Sequence, residues 1–170
     1  VEDYSRKGYV DGLCIRFPTI AIRPGKPNKA ASSFISGIIR EPLNGETAVL
    51  PTNLDFRHPI ASPQKAVEYL IQAAVVEPQH PGDRTFNVPS ISVTVQEMLD
   101  ALERVAGKDV VALVEKKPDD FVVSIVDKWP QEFDCQRAKE LGFTPDQSFD
   151  DIIRAYIRDE LGGETNQAKK

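Results

Sequence analysis

The sequence predicts an α/β fold, and three features support this. Residues 11–23 form an almost continuous apolar run between glycine and proline, as expected of a strand buried on both faces of a parallel sheet. Residues 85–114 predict a strand, a helix and a second strand in succession. With 170 residues and 41% hydrophobic content, the chain can bury one substantial core.

The first residues resemble the end of a helix. Val1 to Gly8 contain no capping residue at their start, but Gly8 suits a helix C-terminus, and the cations Arg6 and Lys7 suit its dipole. We therefore expect the chain to begin within a helix, as a fragment of a longer protein would.

The next elements are predicted from the positions of the prolines and from the spacing of the apolar residues. Pro18 should end the regular pairing of the first strand, and the two prolines of the cationic turn at 24–29 exclude regular structure. A helix is predicted over 30–40, with an inward face, and a short strand over 48–50. The residues of that inward face are Phe34, Ile35, Ile38 and Ile39.

Clear capping signals mark two further helices. Ser62 followed by Pro63 predicts a helix to about Val76, and an apolar stripe runs along it: Ala66, Val67, Leu70, Ile71 and Ala74. Thr94 and Glu97 form a capping box for a helix that ends at Gly107. Short strands are expected over 85–88 and 110–114.

The last third of the chain is less regular. Residues 116–130 are compatible with both helix and strand. Asp134 can begin a short helix to Leu141, and Ser148 can cap a final helix. The tail over 162–170 is expected to be disordered.

Composition excludes several classes of partner. The net charge of −5 provides no positive field for nucleic acid or an anionic membrane. No apolar run reaches the roughly 18 residues needed to span a bilayer. Cys14 and Cys135 lie far apart without metal-ligand spacing, so neither a zinc site nor a disulfide framework is indicated. These features predict a soluble, cytoplasmic protein.

The chain contains no self-sufficient catalytic motif: there is no GxGxxG, P-loop, GxSxG or HExxH pattern. Cationic and small polar residues instead cluster where strands become loops, the usual ligand location at the carboxyl ends of a parallel sheet. The cations are Arg23, Lys26, Lys29, Arg40 and Arg57, and the neutral residues are Thr19, Asn28, Ser32 and Ser33. This combination suits a carboxylate or phosphate on a small polyol.

Structural explanations compete with these functional ones. Lys26 and Lys29 can be solvated surface charges, and Arg40 can serve the dipole at a helix end. The pair Arg57 and His58 is more easily explained by an acidic ligand or partner. Residues better assigned to the surface or to packing are His80, Trp129 and Cys14.

Six segments together resemble the extended short-chain dehydrogenases, the NAD-dependent epimerase/dehydratase group. They are the RFPTIAIRPGKPNKAAS segment from Arg16, SGIIREPL from Ser36, RHPIASPQKAV from Arg57, FNVPSISVT from Phe86, and IVDKWP from Ile125 with FDDIIRAYI from Phe149. The resemblance is strongest to the branch that acts on small sugar acids such as D-erythronate. It covers nearly the whole chain, and the order and spacing of the segments make chance similarity implausible.

The resemblance implies which residues would bind cofactor and substrate. In the family, the glycine-rich NAD loop and the catalytic Tyr-x-x-x-Lys precede the region matched here, so no catalytic residue and no metal ligand is expected in this chain. The NAD contacts it implies are Pro18, Thr19, Ile20 and Arg23. The substrate contacts are Lys29, Ser32, Ser33, Arg40, Arg57 and His58. Pro59 replaces the aromatic residue of some relatives, which puts the detailed role of His58 in question.

The resemblance also implies an organisation and an activity. Residues 1–23 would be the end of the catalytic helix and a central parallel strand, 24–161 a substrate-binding lobe, and 162–170 a disordered tail. The whole enzyme would oxidise a secondary hydroxyl of a small sugar acid with NAD, and its homodimerisation is compatible with the family. This chain would need the missing N-terminal Rossmann half and be inert by itself. Two alternatives remain open: part of a nucleotide-sugar epimerase or dehydratase, and a non-catalytic sugar-acid-binding protein.

Overall fold

A computed structural model describes residues 1–26, 30–77 and 84–163. Short strands and helices are interspersed along this length, and the last three elements are helices. In chain order they are α1 Glu2–Arg6, β1 Cys14–Arg16, β2 Thr19–Ile20, α2 Ser33–Leu43, β3 Ala48–Leu50, β4 Arg57–Ala61, α3 Pro63–Val75, β5 Thr85–Asn87, β6 Ile91–Thr94, α4 Val95–Ala106, α5 Lys108–Val111, β7 Val114–Lys116, α6 Asp120–Val126, α7 Gln136–Glu140 and α8 Phe149–Glu160.

Parallel pairing dominates the sheets, which agrees with the predicted α/β class. β1 pairs with β5 and β3 pairs with β7, both in parallel. The third sheet has the order β2-β4-β6, with β2 parallel and β6 antiparallel to β4. These short ladders bring segments distant in sequence side by side, so residues near 19, 58 and 92 become neighbours.

The long apolar run at 11–23 is not one strand. β1 and β2 are separated at Phe17 and Pro18, as the proline predicts, and they join different sheets. The run is also only half-buried over residues 12–15. Leu13, just before β1, and Ile15 within it pack against the apolar cluster around Tyr69 and Phe86, whereas no described strand pairs with the second edge of β1.

Two apolar clusters form the core. The larger one lies among α2, α4 and α8 and includes the predicted inward residues of α2. The smaller one contains Tyr69, Phe86 and Phe143, and joins α3 to β5 and to the turn after α7. The two clusters lie on opposite faces of the β2-β4-β6 sheet. Ile60 belongs to the first cluster and Ala61 to the second, and successive side chains of a strand point to opposite faces.

Three of the predicted helix starts are confirmed by their caps. The Ser62 hydroxyl accepts a hydrogen bond from Lys65 N, and Thr94 and Glu97 form the reciprocal capping box at the start of α4. Ser148 caps α8 by accepting from Asp151 N. Local polar signals of this kind need no tertiary information, which is why the sequence predicts them well.

Four elements differ from the sequence predictions. Residues 110–114 are not a strand: α5 occupies Lys108–Val111 and β7 begins only at Val114. The undecided segment 116–130 contains helix α6, with Asp119 as its N-cap. Two strands have no counterpart among the predicted elements: β4, which begins at Arg57, and β6.

The apolar stripe predicted for α3 lies on its exposed face. Three of these side chains, Val67, Leu70 and Ile71, are 56–63% exposed. The buried side is instead centred on Tyr69, whose hydroxyl lies 2.9 Å from Pro89 O and 3.0 Å from Thr144 O. Hydrophobicity therefore predicts the helix correctly but assigns the wrong face to the core.

The tail predicted to be disordered begins at Gly162. Gly162 and Gly163 form a turn at the end of α8, and 164–170 lie outside the described residues.

Candidate functional site

Thr19 and His58 form the centre of the candidate site. The Thr19 Oγ1 atom lies 2.7 Å from His58 Nε2, in a hydrogen bond between residues 39 positions apart. The parallel pairing of β2 with β4 creates this contact, since Thr19 aligns with Ile60 and stands diagonally across from His58. The structure thus joins a residue predicted to bind NAD with one predicted to bind substrate.

His58 is enclosed by aromatic rings. Its imidazole stacks on Phe56 at 5.6 Å between ring centroids and lies 5.3 Å from the indole of Trp129. The residue is only 7% exposed, and its Nδ1 atom is buried without a hydrogen-bond partner among the described residues. Burial lowers the pKa of His58 to about 4, so the ring is neutral at neutral pH.

Arg57 lies at the surface beside this cluster. Its guanidinium donates to Ser92 O at 2.7 Å and forms an ion pair with Glu97 at 3.2 Å, while its side chain remains 33% exposed. Arg57 and Trp129 also line a polar cavity of about 210 Å³. The arginine can therefore offer part of its fork to an anion without leaving Ser92.

The other residues predicted to contact NAD follow β1. Pro18 is buried and Ile20 packs at the edge of the smaller core, so each contributes apolar wall or backbone. Arg23 is exposed, and its backbone is held from two sides: its N–H donates to Ser36 Oγ, and its carbonyl accepts from Arg40. Thr19 and Arg23 are thus the polar side chains of this group.

Arg40 is buried in an ion pair rather than presented to solvent. It donates to Arg23 O at 2.9 Å and to Glu41 Oε1 at 2.6 Å, and the side chains of Arg40 and Glu41 are each 9% exposed. The sequence placed this cation at a helix end but gave no indication of its partners. In this conformation it fixes the loop after β2.

The remaining predicted substrate contacts surround the start of α2. Ser32 is the N-cap residue without a side-chain capping bond, and Ser33 begins the helix beside an apolar cavity of about 430 Å³. Both are half-buried. Lys29 and Asn28 lie outside the described residues. The structure therefore does not join these serines to the cluster of Thr19 and His58.

Sequence reasoning assigned Trp129 to packing and gave Phe56 no role. Both rings enclose His58, and Trp129 borders the cavity of Arg57. A signal existed in the sequence, since Trp129 lies within one of the segments that carry the family resemblance. The ring contacts that pack Phe56 and Trp129 into the fold are the same contacts that enclose His58.

Residues 1–26, 30–77 and 84–163 contain no cluster of three or more His, Cys, Asp or Glu side chains arranged to hold a metal ion. None of the helices described there is both long and apolar enough to cross a bilayer.

The chain is similar to curated proteins of known name. It is 46% identical over 160 residues to a D-erythronate dehydrogenase of Cupriavidus necator, a match covering 94% of this chain and 49% of the relative. A D-erythronate dehydrogenase of Haemophilus influenzae is 45% identical over 159 residues, with coverage of 92% and 50%. The chain thus spans about half the length of these relatives. No family model matches it.

Solved structures give the same result for the fold. The nucleoside-diphosphate-sugar epimerase from Agrobacterium tumefaciens superposes with a TM-score of 0.92 at 48% identity, over 96% of this chain and 48% of that one. L-threonine dehydrogenase from Phytophthora infestans superposes with a TM-score of 0.79 over 95% and 52%, and at 20% identity it supports the fold alone. These comparisons confirm the resemblance found in the sequence: the chain is a relative of proteins named D-erythronate dehydrogenase, and its fold is that of the C-terminal part of an extended short-chain dehydrogenase with a Rossmann-type sheet.

Proposed function

We propose that this chain is the substrate-binding part of an NAD-dependent oxidoreductase that oxidises a secondary hydroxyl of a small sugar acid such as D-erythronate. The observation that carries the proposal is the bond from Thr19, just after the carboxyl end of β1, to the enclosed His58. It occurs in a chain 46% identical to a D-erythronate dehydrogenase. Ligands of α/β proteins bind at such strand ends.

The residues present suit the nicotinamide end of a dinucleotide. Thr19 offers a half-exposed hydroxyl, Pro18 and Ile20 offer apolar surface, and Arg23 offers an exposed cation. When bound, NAD supplies the hydride acceptor. The sequence contains no glycine-rich loop, so the pyrophosphate and adenosine need residues from another segment.

For the substrate's acid group, Arg57 is the best-placed cation. It is partly exposed at a cavity and already oriented by Ser92 and Glu97. A guanidinium binds a carboxylate through two parallel hydrogen bonds. Arg40 can do so only by leaving Glu41. Ser32 and Ser33 at the start of α2 are further proposed contacts, and Lys29, which lies outside the described residues, is proposed from the family resemblance alone.

The N-terminal Rossmann half is the proposed partner of residues 1–23. The second edge of β1 pairs with no strand in the described chain, and parallel strands of α/β proteins are ordinarily covered on both faces. We therefore propose that α1 and β1 belong to the sheet domain of the whole enzyme, and that residues 24–161 form the lobe.

We place the protein in the cytoplasm, which is consistent with two free cysteines, and propose that the whole enzyme can form a homodimer.

The test compares this chain with the full-length protein that contains it. We expect the full-length protein to form NADH from NAD and D-erythronate and the chain by itself to form none. A replacement of Arg57 by alanine should raise KM for D-erythronate, whereas Arg154→Ala, an exposed ion-pair residue on α8, is the matched control. Turnover by the isolated chain, or the lack of any oxidation by the full-length protein, would contradict the proposal.

A second candidate is a nucleotide-sugar epimerase. It is favoured by the 48% identity to a structure described as a nucleoside-diphosphate-sugar epimerase. Calorimetry with UDP-sugars and with four-carbon sugar acids separates the two. Binding of the UDP-sugars together with failure to bind the acids would favour the epimerase. Binding of a sugar acid by the full-length protein without any NADH formation would favour a non-catalytic binding protein.

A further inference from the structure

The hydrogen bond between Thr19 and His58 can run in either direction. A threonine hydroxyl can both donate and accept, and a neutral imidazole carries its proton on one nitrogen and accepts on the other. Which group donates decides what Thr19 can offer to a ligand. The surroundings of the second ring nitrogen, Nδ1, answer this question.

The Nδ1 atom of His58 has no polar partner in the part of the chain that the structure describes, and water cannot easily reach it. The residue is 7% exposed, its ring is stacked on Phe56 with an interplanar angle of 19°, and Trp129 covers it at an angle of 45°. Burial in this aromatic enclosure also lowers the pKa of His58, which keeps the ring neutral. One of its two nitrogens therefore carries a single proton.

A proton on Nδ1 would leave a buried N–H without an acceptor. Orphaned buried donors are rarer in proteins than buried acceptors with unused lone pairs. The proton therefore belongs on Nε2, the nitrogen 2.7 Å from Thr19 Oγ1. In this tautomer His58 donates and the Thr19 oxygen accepts.

The hydroxyl proton of Thr19 is then left to donate elsewhere. Its side chain is half-exposed, and no acceptor for it occurs within 1–26, 30–77 or 84–163. We infer that His58 is a positioning residue that donates to Thr19 Oγ1, so that the Thr19 hydroxyl presents its own proton to the site and selects a ligand oxygen that accepts. This differs from the direct substrate contact that the sequence predicts for His58.

The ligand chemistry that fits is a carbonyl or carboxylate oxygen. A ligand group offering only an N–H could use no more than the second lone pair of Thr19 Oγ1, and it would leave the hydroxyl proton without an acceptor. This consequence rests on the proposed function, in which such an oxygen comes from the nicotinamide carboxamide or from the acid group of the substrate. The carboxamide and the acid group both offer an oxygen that accepts a hydrogen bond, and the binding measurements below distinguish between them.

The first measurement concerns the proton itself. In the ¹⁵N-labelled protein at neutral pH, two-bond proton–nitrogen correlations of the His58 ring report which nitrogen is protonated. We expect a protonated Nε2 and an unprotonated Nδ1, with the Nε2 resonance shifted in Thr19→Val. A proton on Nδ1 overturns the inference, and this result does not depend on any enzymatic activity.

The second measurement is a double-mutant cycle in the full-length protein. His58→Phe keeps an aromatic ring but removes the donor, and Thr19→Val removes the hydroxyl while keeping its shape. We expect each to weaken binding about tenfold, the double variant to be no weaker than Thr19→Val, and both His58→Gln and Thr19→Ser to restore binding within about threefold. Additive losses, or no recovery in His58→Gln, overturn the inference, since they indicate a separate role for the ring.

The ligand whose binding these substitutions weaken identifies the source of the oxygen. A weaker Kd for NAD in calorimetry, with KM for D-erythronate unchanged, assigns the bond to the carboxamide. The reverse pattern assigns it to the substrate. If the wild-type full-length protein binds neither ligand, the proposed function is wrong, and the tautomer measurement still decides the role of His58.

Discussion

The guanidinium of Arg40 on helix α2 donates a hydrogen bond to the backbone carbonyl of Arg23, 17 residues earlier and just beyond β2. The same side chain forms an ion pair with Glu41, and both are almost fully buried. The loop that leaves the candidate NAD-binding segment is therefore tied to the core through one cation. Its removal should affect stability more than its position at a helix end suggests.

We expect Arg40→Met to lower the free energy of unfolding by about 3–5 kcal/mol, because it leaves Glu41 as an uncompensated buried charge. The double variant Arg40→Met with Glu41→Leu should lose much less, since neither charge is then buried alone. Urea unfolding of the protein measures both. Equal losses in the single and double variants would show that the ion pair is not what Arg40 contributes.

The matched control is an exposed pair. Arg154 contacts Asp151 at 3.1 Å on α8, with both side chains about half exposed. Exposed pairs of this kind contribute about 0–1 kcal/mol. Arg154→Met should therefore change the free energy of unfolding by no more than this amount.

The capping box of α4 gives a second prediction. Thr94 accepts from Glu97 N at 3.1 Å, and Glu97 accepts from Thr94 N at 2.6 Å, a bond that lowers the pKa of Glu97. Thr94→Ala should cost about 1 kcal/mol. Ser124→Ala removes an exposed hydroxyl that donates only within its own helix, and it should stay within about 0.5 kcal/mol of wild type in the same unfolding assay.

Caps of this kind mark how far the sequence can predict the fold. Thr94, Ser62 and Ser148 act on backbone groups three residues away, so the sequence contains all the necessary information. Strand β4 is different, because Pro59 interrupts its local pattern. Its pairing with β2 begins past the proline, at Ile60, and its pairing with β6 starts at Arg57, so only these tertiary registers make the strand visible.

Three residues of the candidate site could be selected from the sequence, but their arrangement could not. Thr19, Arg57 and His58 could be selected from residue type and family resemblance. Thr19 and His58 are hydrogen-bonded to each other across 39 residues of sequence, and Arg57 contacts Glu97 across 40. No local sequence pattern specifies such pairs. The enclosure by Trp129, 71 residues after His58 in the numbering, depends equally on long-range packing.

Acid should destabilise the fold through His58. Burial lowers its pKa from 6.5 to about 4, so between these values the unfolded chain binds a proton that the folded chain does not. Stability attributable to the neutral ring is thus complete above pH 6.5 and falls as the pH decreases toward 4, by up to about 3 kcal/mol. Denaturant unfolding across this range measures the loss.

His58→Phe is the comparison for this effect. It keeps an aromatic ring between Phe56 and Trp129 but cannot be protonated. Its stability should vary less steeply with pH than that of the wild type, although the lost bond to Thr19 lowers it at every pH. Parallel stability curves for the two proteins would mean that His58 titrates normally and that its enclosure is open to water.

The two faces of α3 give the last prediction. Hydrophobicity assigns Ile71 to the core, but this side chain is 63% exposed, whereas Tyr69 on the opposite face is 1% exposed and hydrogen-bonded to backbone carbonyls. Ile71→Lys should change the free energy of unfolding by less than about 0.5 kcal/mol, while Tyr69→Ala should cost at least about 3 kcal/mol. Urea unfolding at two protein concentrations measures both and detects association. A loss in Ile71→Lys as large as that in Tyr69→Ala at both concentrations would mean that the stripe belongs to the core of the single chain after all. A loss that appears only at the higher concentration would instead mean that the stripe is covered by another copy of the chain.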